Sequence, residues 1–177
     1  MEYVRKWRDS QRAPKVASVY QAIAGATVLV FFDAFFLNQG VYSVLFGLWL
    51  VLVSLPRSFT RRFDLLRPRR LRNVGIYLVA VLMVFSLNWA NNHIAQARAE
   101  RLVAEIKTFQ SKYGHYPKAL NELVPEFIEH VPLAKYTLAF NRFIYHGSGD
   151  AMLMYVALPP FGRPYYNFAD ERWGYLD

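Results

Sequence analysis

Two stretches of this chain, 17–55 and 74–90, are almost wholly apolar, and beyond position 90 the apolar residues thin to helical and then alternating spacing. Ala17–Leu37 (ASVYQAIAGATVLVFFDAFFL) comes close to the roughly 20 apolar residues that a membrane-spanning helix needs. Asn38-Gln39-Gly40 predicts a tight turn. Val41–Leu55 (VYSVLFGLWLVLVSL) predicts a second, shorter span that Pro56 and Arg57 stop. Val74–Ala90 (VGIYLVAVLMVFSLNWA) predicts a third. No glycine or proline interrupts the chain from Ile76 to Tyr113, so this span continues past Ala90 as an amphipathic helix. Leu102, Ile106, Phe109 and Tyr113 follow one another at helical spacing on one face, with Arg98, Arg101, Glu105 and Lys112 on the others. One helix of about 40 residues would be roughly 60 Å long. Its second half needs a packing partner.

The remaining chain supplies one. Gly114 ends the helix, and Tyr116-Pro117 predicts a short helix striped by Leu120, Leu123, Val124, Phe127 and Ile128 and divided by Pro125. Strand-like runs follow at Tyr136–Tyr145, Ala151–Leu158 and Pro164–Phe168, the first two joined by a His146–Asp150 hairpin loop. The fold class is therefore α+β. Three transmembrane helices are expected, the third continuing as a long helix packed on a small antiparallel β-meander of three strands. Leu102, Ile106 and Phe109 are the residues expected to dock helix on sheet.

Charge orients this arrangement. The net charge of +8 divides into +3 from residues 1–16, +6 from residues 56–73, −1 from Asp33 and zero from 91–177. Basic residues crowded beside apolar runs mark the cytoplasmic side of a membrane protein. Residues 1–16 are thus a cytoplasmic N-terminus, 17–55 a transmembrane hairpin and 56–73 a cytoplasmic arginine-rich loop. Residues 74–113 form the third span with its periplasmic extension, and 114–177 a periplasmic unit. Arg61, Arg62, Arg69 and Arg70 are expected to lie on anionic lipid. Trp89 and Tyr42 fall near the outer interface. The N-terminal apolar run is too long for a cleavable signal peptide.

Candidates for chemistry are few. Cysteine is absent, which excludes disulfides, thiolate nucleophiles and thiolate metal sites. His93, His115, His130 and His146 have no helical metal-ligand spacing, and Ser148 lies in no nucleophile elbow. No metal, cofactor, small-molecule substrate or enzymatic activity is expected. Nucleic acid is not an expected partner either, because the arginines flank apolar spans rather than alternate with stacking aromatics. A channel or transporter is disfavoured by spans that hold a single ionisable group. That group, Asp33, is placed either as a hydrated residue near the outer surface or as an intramembrane contact, accepting from Asn88 or from a cation on a partner protein. The tail is rich in aromatics, more than one face of a small sheet can bury. Phe161, Tyr165 and Tyr166, set among prolines and glycines, are the expected contact surface.

The run IKTFQSKYGHYPKALNELVPEFI, on a helix that leaves an apolar span, resembles type IV pilins and type II secretion pseudopilins. In that family the helix ends at a G-x-Y-P turn followed by x-x-L-x-x-L and a proline, here Gly114, Tyr116, Pro117, Leu120, Leu123 and Pro125. The resemblance covers residues 74–177. Pilins also carry a peptidase cleavage site before the helix and a glutamate within it, and neither is present around Val74. The layout is similar to multi-span pilin accessory proteins of the bacterial inner membrane. That resemblance implies a non-catalytic protein that binds pilin or minor pilins, whose positive N-termini would lie at the depth of Asp33, and that serves the pilus assembly platform. The alternative it leaves is a structural subunit of another envelope or secretion complex.

Overall fold

The computed structural model describes residues 17–37, 40–56, 67–158 and 162–176. The basic N-terminus, the Asn38-Gln39 turn, Arg61, Arg62 and Phe161 lie outside the described residues. Helix α1, Val19–Val30, opens on a capping box: the Ser18 hydroxyl accepts from Gln21 N–H at 3.3 Å and the Gln21 amide oxygen from Ser18 N–H at 2.9 Å. It passes into a π-helical segment, Phe31–Leu37. Helix α2, Val41–Trp49, starts at Gly40 in the left-handed region (φ 70°) and ends in a π-helical segment, Leu50–Ser54. Helix α3 runs unbroken over 47 residues from Arg67 to Tyr113, roughly 70 Å.

Among the described residues, two helices, Val19–Leu37 and Pro68–Tyr113, are long and apolar enough to cross a membrane. The expected second span falls short of that length. Val41–Ser54 is apolar but holds 9 α-helical and 5 π-helical residues, about 21 Å of rise against a hydrocarbon core of about 30 Å. The arginine-rich segment is also corrected. Residues 67–73, including Arg69 and Arg70, form the first turns of α3 rather than a loop. Arginine is a good helix former, and Pro68 sits in the first turn where its missing N–H costs nothing.

The three helices alternate in direction. Asn73 Nδ2 donates to Ala17 O at 2.8 Å, joining the beginnings of α1 and α3. At the far end of α1 Gly40 lies against Asn88, and further along α2 Gly47 lies against Val81. Helices α1 and α3 are thus parallel and pack directly against each other, and α2 runs antiparallel to both. Small residues permit the close approach. Ala22 and Ala26 are buried one turn apart on α1, and Tyr77 of α3 covers Gly25, where a Cβ would meet its hydroxyl at 2.4 Å.

The outer half of α3 is the spine of an α+β unit. Gly114, at φ 74°, ends the helix in the left-handed region, and its N–H donates to Gln110 O at 2.8 Å. A 3-10 turn, Leu120–Leu123, follows in place of the expected short helix. The sheet is an antiparallel meander in the order β1 (Ile144–His146), β2 (Met152–Met154), β3 (Arg163–Asn167), β4 (Arg172–Leu176). It has four strands where three were expected, and residues 136–143 form an irregular loop rather than a strand. Phe140 there has φ 55°, which breaks any extended run. Leu102, Ile106 and Phe109 are buried with Leu120, Leu123, Leu153, Tyr166 and Phe168 in one core. The hairpin loop closes on the helix-end turn. Tyr145 Oη donates to Pro117 O at 3.0 Å, and a Cβ on Gly147 would fall 2.0 Å from that same carbonyl, so only glycine fits there.

Candidate partner-binding surface

The surface of the helical bundle is apolar. Ile23, Phe31, Leu45, Leu52, Leu82 and Phe85 are all exposed, at 44–69%. Only 22% of the apolar window in α1 and 28% of that in α3 is buried, so neither helix is the interior of a soluble core. Two shallow grooves score this surface. One, of about 530 Å³, is bordered by Val28, Phe32, Phe36, Tyr42, Phe46 and Tyr77. The other, of about 380 Å³, lies between α1 and α3 on the opposite side, along Ile23, Thr27, Phe31 and Met83. Each runs parallel to a helix axis and has an apolar lining, which suits the side of another helix.

Asp33 lies at the end of the first groove, but it is fully buried. Its two carboxylate oxygens accept from Gly40 N–H at 2.8 Å and from Ser43 N–H at 2.7 Å. These are orphan donors of the α2 N-terminus, so Asp33 caps that helix from a neighbouring one. Neither the expected hydrated position nor the expected bond from Asn88 is present. Asp33 follows Ala22 and Ala26 at spacings of eleven and seven residues, so helical periodicity alone puts it on the same buried face of α1. Removing the cap leaves two buried N–H groups without partners. Asp33→Ala is therefore expected to destabilise the bundle by about 2 kcal/mol and Asp33→Asn by about 1 kcal/mol. Thermal unfolding in detergent micelles checks this; equal melting temperatures would show that the cap contributes nothing.

Asn88 does stand beside this cap. Its Nδ2 lies 3.3 Å from the position of a Cβ on Gly40, and its Oδ1 is buried without a hydrogen-bond partner among the described residues. Arg69 is exposed at the opposite end of the bundle, with Arg70 half-buried beside it.

In the outer unit the expected aromatic surface divides. Tyr166 is buried in the core, with Lys107 Nζ over its ring at 5.5 Å, so it is not a contact residue. Tyr165 is half-buried and covers Gly174 across the β3–β4 pair. Among the described residues, the exposed aromatics of the outer unit are Tyr113 at the end of α3, Tyr136 and Phe140 in the irregular loop, and Trp173 and Tyr175 on the edge strand β4. A third groove, of about 740 Å³, lies between α3 and residues 128–136, with Arg98, Arg101, Glu129 and His130 in its lining. Arg98 fixes one wall of it, donating to Leu133 O at 2.7 Å and to the Tyr136 hydroxyl, with its guanidinium 4.4 Å from the Tyr136 ring centre.

Some of the polar side chains that could support chemistry have structural partners. Glu126 accepts from Lys112 and from Tyr113 Oη, and both contacts hold its carboxyl below the usual range. Burial pushes the Tyr145 and Tyr155 hydroxyls up to about 12. His93 packs edge-on against Trp89 and His115 against Phe109. No three His, Cys, Asp or Glu side chains converge among the described residues. Compared with protein-family models, with curated proteins and with solved structures, the chain matches none.

Proposed function

We propose that this chain is a non-catalytic, multi-pass protein of the bacterial inner membrane that binds pilin or minor pilin subunits and supports assembly of a type IV pilus or related filament. One observation carries this proposal. A single unbroken helix has an apolar half inside a greasy bundle and an amphipathic half that serves as the spine of a four-stranded meander. That division resembles the pilin plan, in which one helix anchors the subunit in lipid and organises its outer domain. The helix ends in the left-handed Gly114, and the Tyr116-Pro117 turn is pinned by the β1–β2 hairpin.

Three spans remain part of this proposal despite the short α2. Parallel α1 and α3 require the chain between them to return across the same thickness, and the local thinning that a short helix imposes on a bilayer costs only fractions of a kcal/mol per Å. The +3 and +6 basic blocks then lie in the cytoplasm and the α+β unit in the periplasm. The two intramembrane grooves offer a helix-shaped, apolar binding face, and Asn88 Oδ1 offers one unused acceptor beside the first. A photo-crosslinking residue at Phe32, on the rim of that groove, is expected to capture pilin in native membranes, whereas one at the exposed hairpin tip Ser148 captures none. Deletion of the gene is expected to remove surface pili while pilin persists in the membrane. Normal piliation would overturn the pilus assignment, and a crosslink to a different envelope protein would move the chain to another complex.

A further inference from the structure

The loop from Leu133 to Phe140 (LAKYTLAF) is built inside out. Its polar side chains are the buried ones, Lys135 at 1% and Thr137 at 7% exposed. Its large apolar side chains are the exposed ones: Leu133 at 45%, Tyr136 at 59%, Leu138 at 65% and Phe140 at 46%. A water-facing loop shows the reverse distribution.

Internal bonds hold this inversion in place. Ala134 N–H donates to Asn141 O at 2.7 Å, Asn141 Nδ2 to Thr137 O at 3.0 Å, and Thr137 Oγ1 to Ala139 O at 2.8 Å. Lys135 Nζ reaches inward to Ala157 O at 2.7 Å, and Arg98 secures Leu133 and Tyr136 from α3. Phe140 keeps a left-handed backbone (φ 55°) that a side chain of its size adopts only where the surroundings impose it.

The loop's position identifies what faces it. Leu138 N–H donates to Phe35 O at 2.8 Å and Ala139 N–H to Phe36 O at 3.2 Å. These carbonyls belong to the last turn of the first apolar helix, where no further helical N–H is available. The loop is thereby fastened to the end of α1, next to the exposed rings of Phe35 and Phe36. Leu138 and Phe140 thus extend the apolar surface of the bundle without a charged residue between them.

We infer that residues 133–140 form an interfacial anchor that seats Leu138 and Phe140 in the outer leaflet, at the boundary of headgroups and acyl chains, and so fixes the height and tilt of the outer unit on the membrane. Tyr136 suits that depth, with an apolar ring and a polar tip. The inference rests on the membrane assignment above and adds to it a lipid contact outside the spanning helices.

Because the chain has no cysteine, single spin labels can be placed without background. The full chain, purified and reconstituted at high lipid-to-protein ratio in phosphatidylethanolamine–phosphatidylglycerol vesicles, would carry a label at Leu138→Cys, Phe140→Cys, Leu82→Cys or Asp150→Cys. Collision with oxygen reports lipid, and collision with a water-soluble nickel chelate reports solvent. Labels at 138 and 140 are expected to favour oxygen at least several-fold, as at 82, while 150 favours nickel. If 138 and 140 match 150 while 82 still reports lipid, the anchor is overturned and the membrane assignment stands. If 82 also reports water, the membrane assignment itself fails. Spin–spin broadening at 138 that persists on dilution into excess lipid would mean that a second copy, not lipid, covers the loop, and would also overturn the anchor.

Discussion

Ile106→Ala is expected to cost the outer unit about 3–4 kcal/mol. Ile106 is fully buried on the inward face of α3, between Leu102 and Phe109 and among the residues of the single core cluster. Truncating a buried isoleucine to alanine costs roughly 2–5 kcal/mol, part from lost transfer energy and part from the cavity left behind. The upper half of that range applies here because the site cannot easily collapse. One wall is a continuous helix, and the other is a sheet whose neighbouring aromatics Tyr166 and Phe168 already pack edge to face at 5.0 Å. A domain of this size has a total stability of about 4–13 kcal/mol, so the loss is a large fraction of it. Hydrogen exchange of the full chain in micelles separates the two halves of α3. Amides of β2 and β3 are expected to lose two to three decades of protection, while those around Val81 and Val84 in the bundle keep theirs. Leu82→Ala, at a 65% exposed position, is the control and should change neither set by more than about 0.5 kcal/mol. Unchanged protection in the sheet after Ile106→Ala would mean that something other than α3 holds the outer unit together.

How much of this was legible in the chain varies element by element. The α+β class and the long helix followed from period: an amphipathic stripe at Leu102, Ile106 and Phe109 continuing an apolar span with no breaker between. The start of α3 is hidden in a run of arginines whose charge suggests a loop although their helix propensity is high. Loop 136–140 was misplaced for a specific reason. Alternation of Tyr136, Leu138 and Phe140 with smaller residues is the pattern of a half-buried strand, and a loop with its apolar side chains turned outward produces the same pattern. Strand β4 was missed although it carries a signal. The Asn167 side-chain oxygen accepts from Ala169 and Asp170 N–H groups, and Asn-x-x-Asp-Glu ahead of RWGYL reads as a turn into a short strand.

The contacts that position the candidate surface were the least legible. Asp33 stands out in the sequence as the single ionisable group of the apolar spans. Its partners are backbone N–H groups of another helix, and those carry no residue identity to read. The same holds for the Phe35 and Phe36 carbonyls that receive the outer loop. By contrast, the small-residue spacing of Ala22 and Ala26 was present in the sequence and available to be read. Side-chain pattern thus reports which faces are apolar, while the joints between bundle and outer unit are made by main chain.

Lys135 is the residue whose removal is expected to change the pH response most. It is 1% exposed, and its ammonium donates to Ala157 O at 2.7 Å. Burial pushes its pKa down to about 8 from 10.5. The unfolded chain therefore binds this proton more tightly than the folded one, and between those two values the unfolded state holds more protons. Stability must then rise with pH across that window. Below pH 8 the full cost is present, about 3 kcal/mol for a difference of this size, and most of it is relieved by pH 10. Burial of Tyr145 and Tyr155 acts in the opposite sense, because hydroxyls raised to about 12 make stability fall as pH climbs beyond 10, the ordinary tyrosine value. The wild-type outer unit is thus expected to gain about 2–3 kcal/mol from pH 7 to pH 10 and to lose stability above that. Lys135→Met keeps the long aliphatic body but has no proton to release, so its stability should stay flat from pH 7 to pH 10, with the tyrosine decline above pH 10 unchanged. Pulse proteolysis in urea, using a subtilisin active at alkaline pH, reads both proteins on the same scale. Parallel curves for wild type and Lys135→Met between pH 7 and pH 10 would show that the amine stays charged at little cost in its buried position.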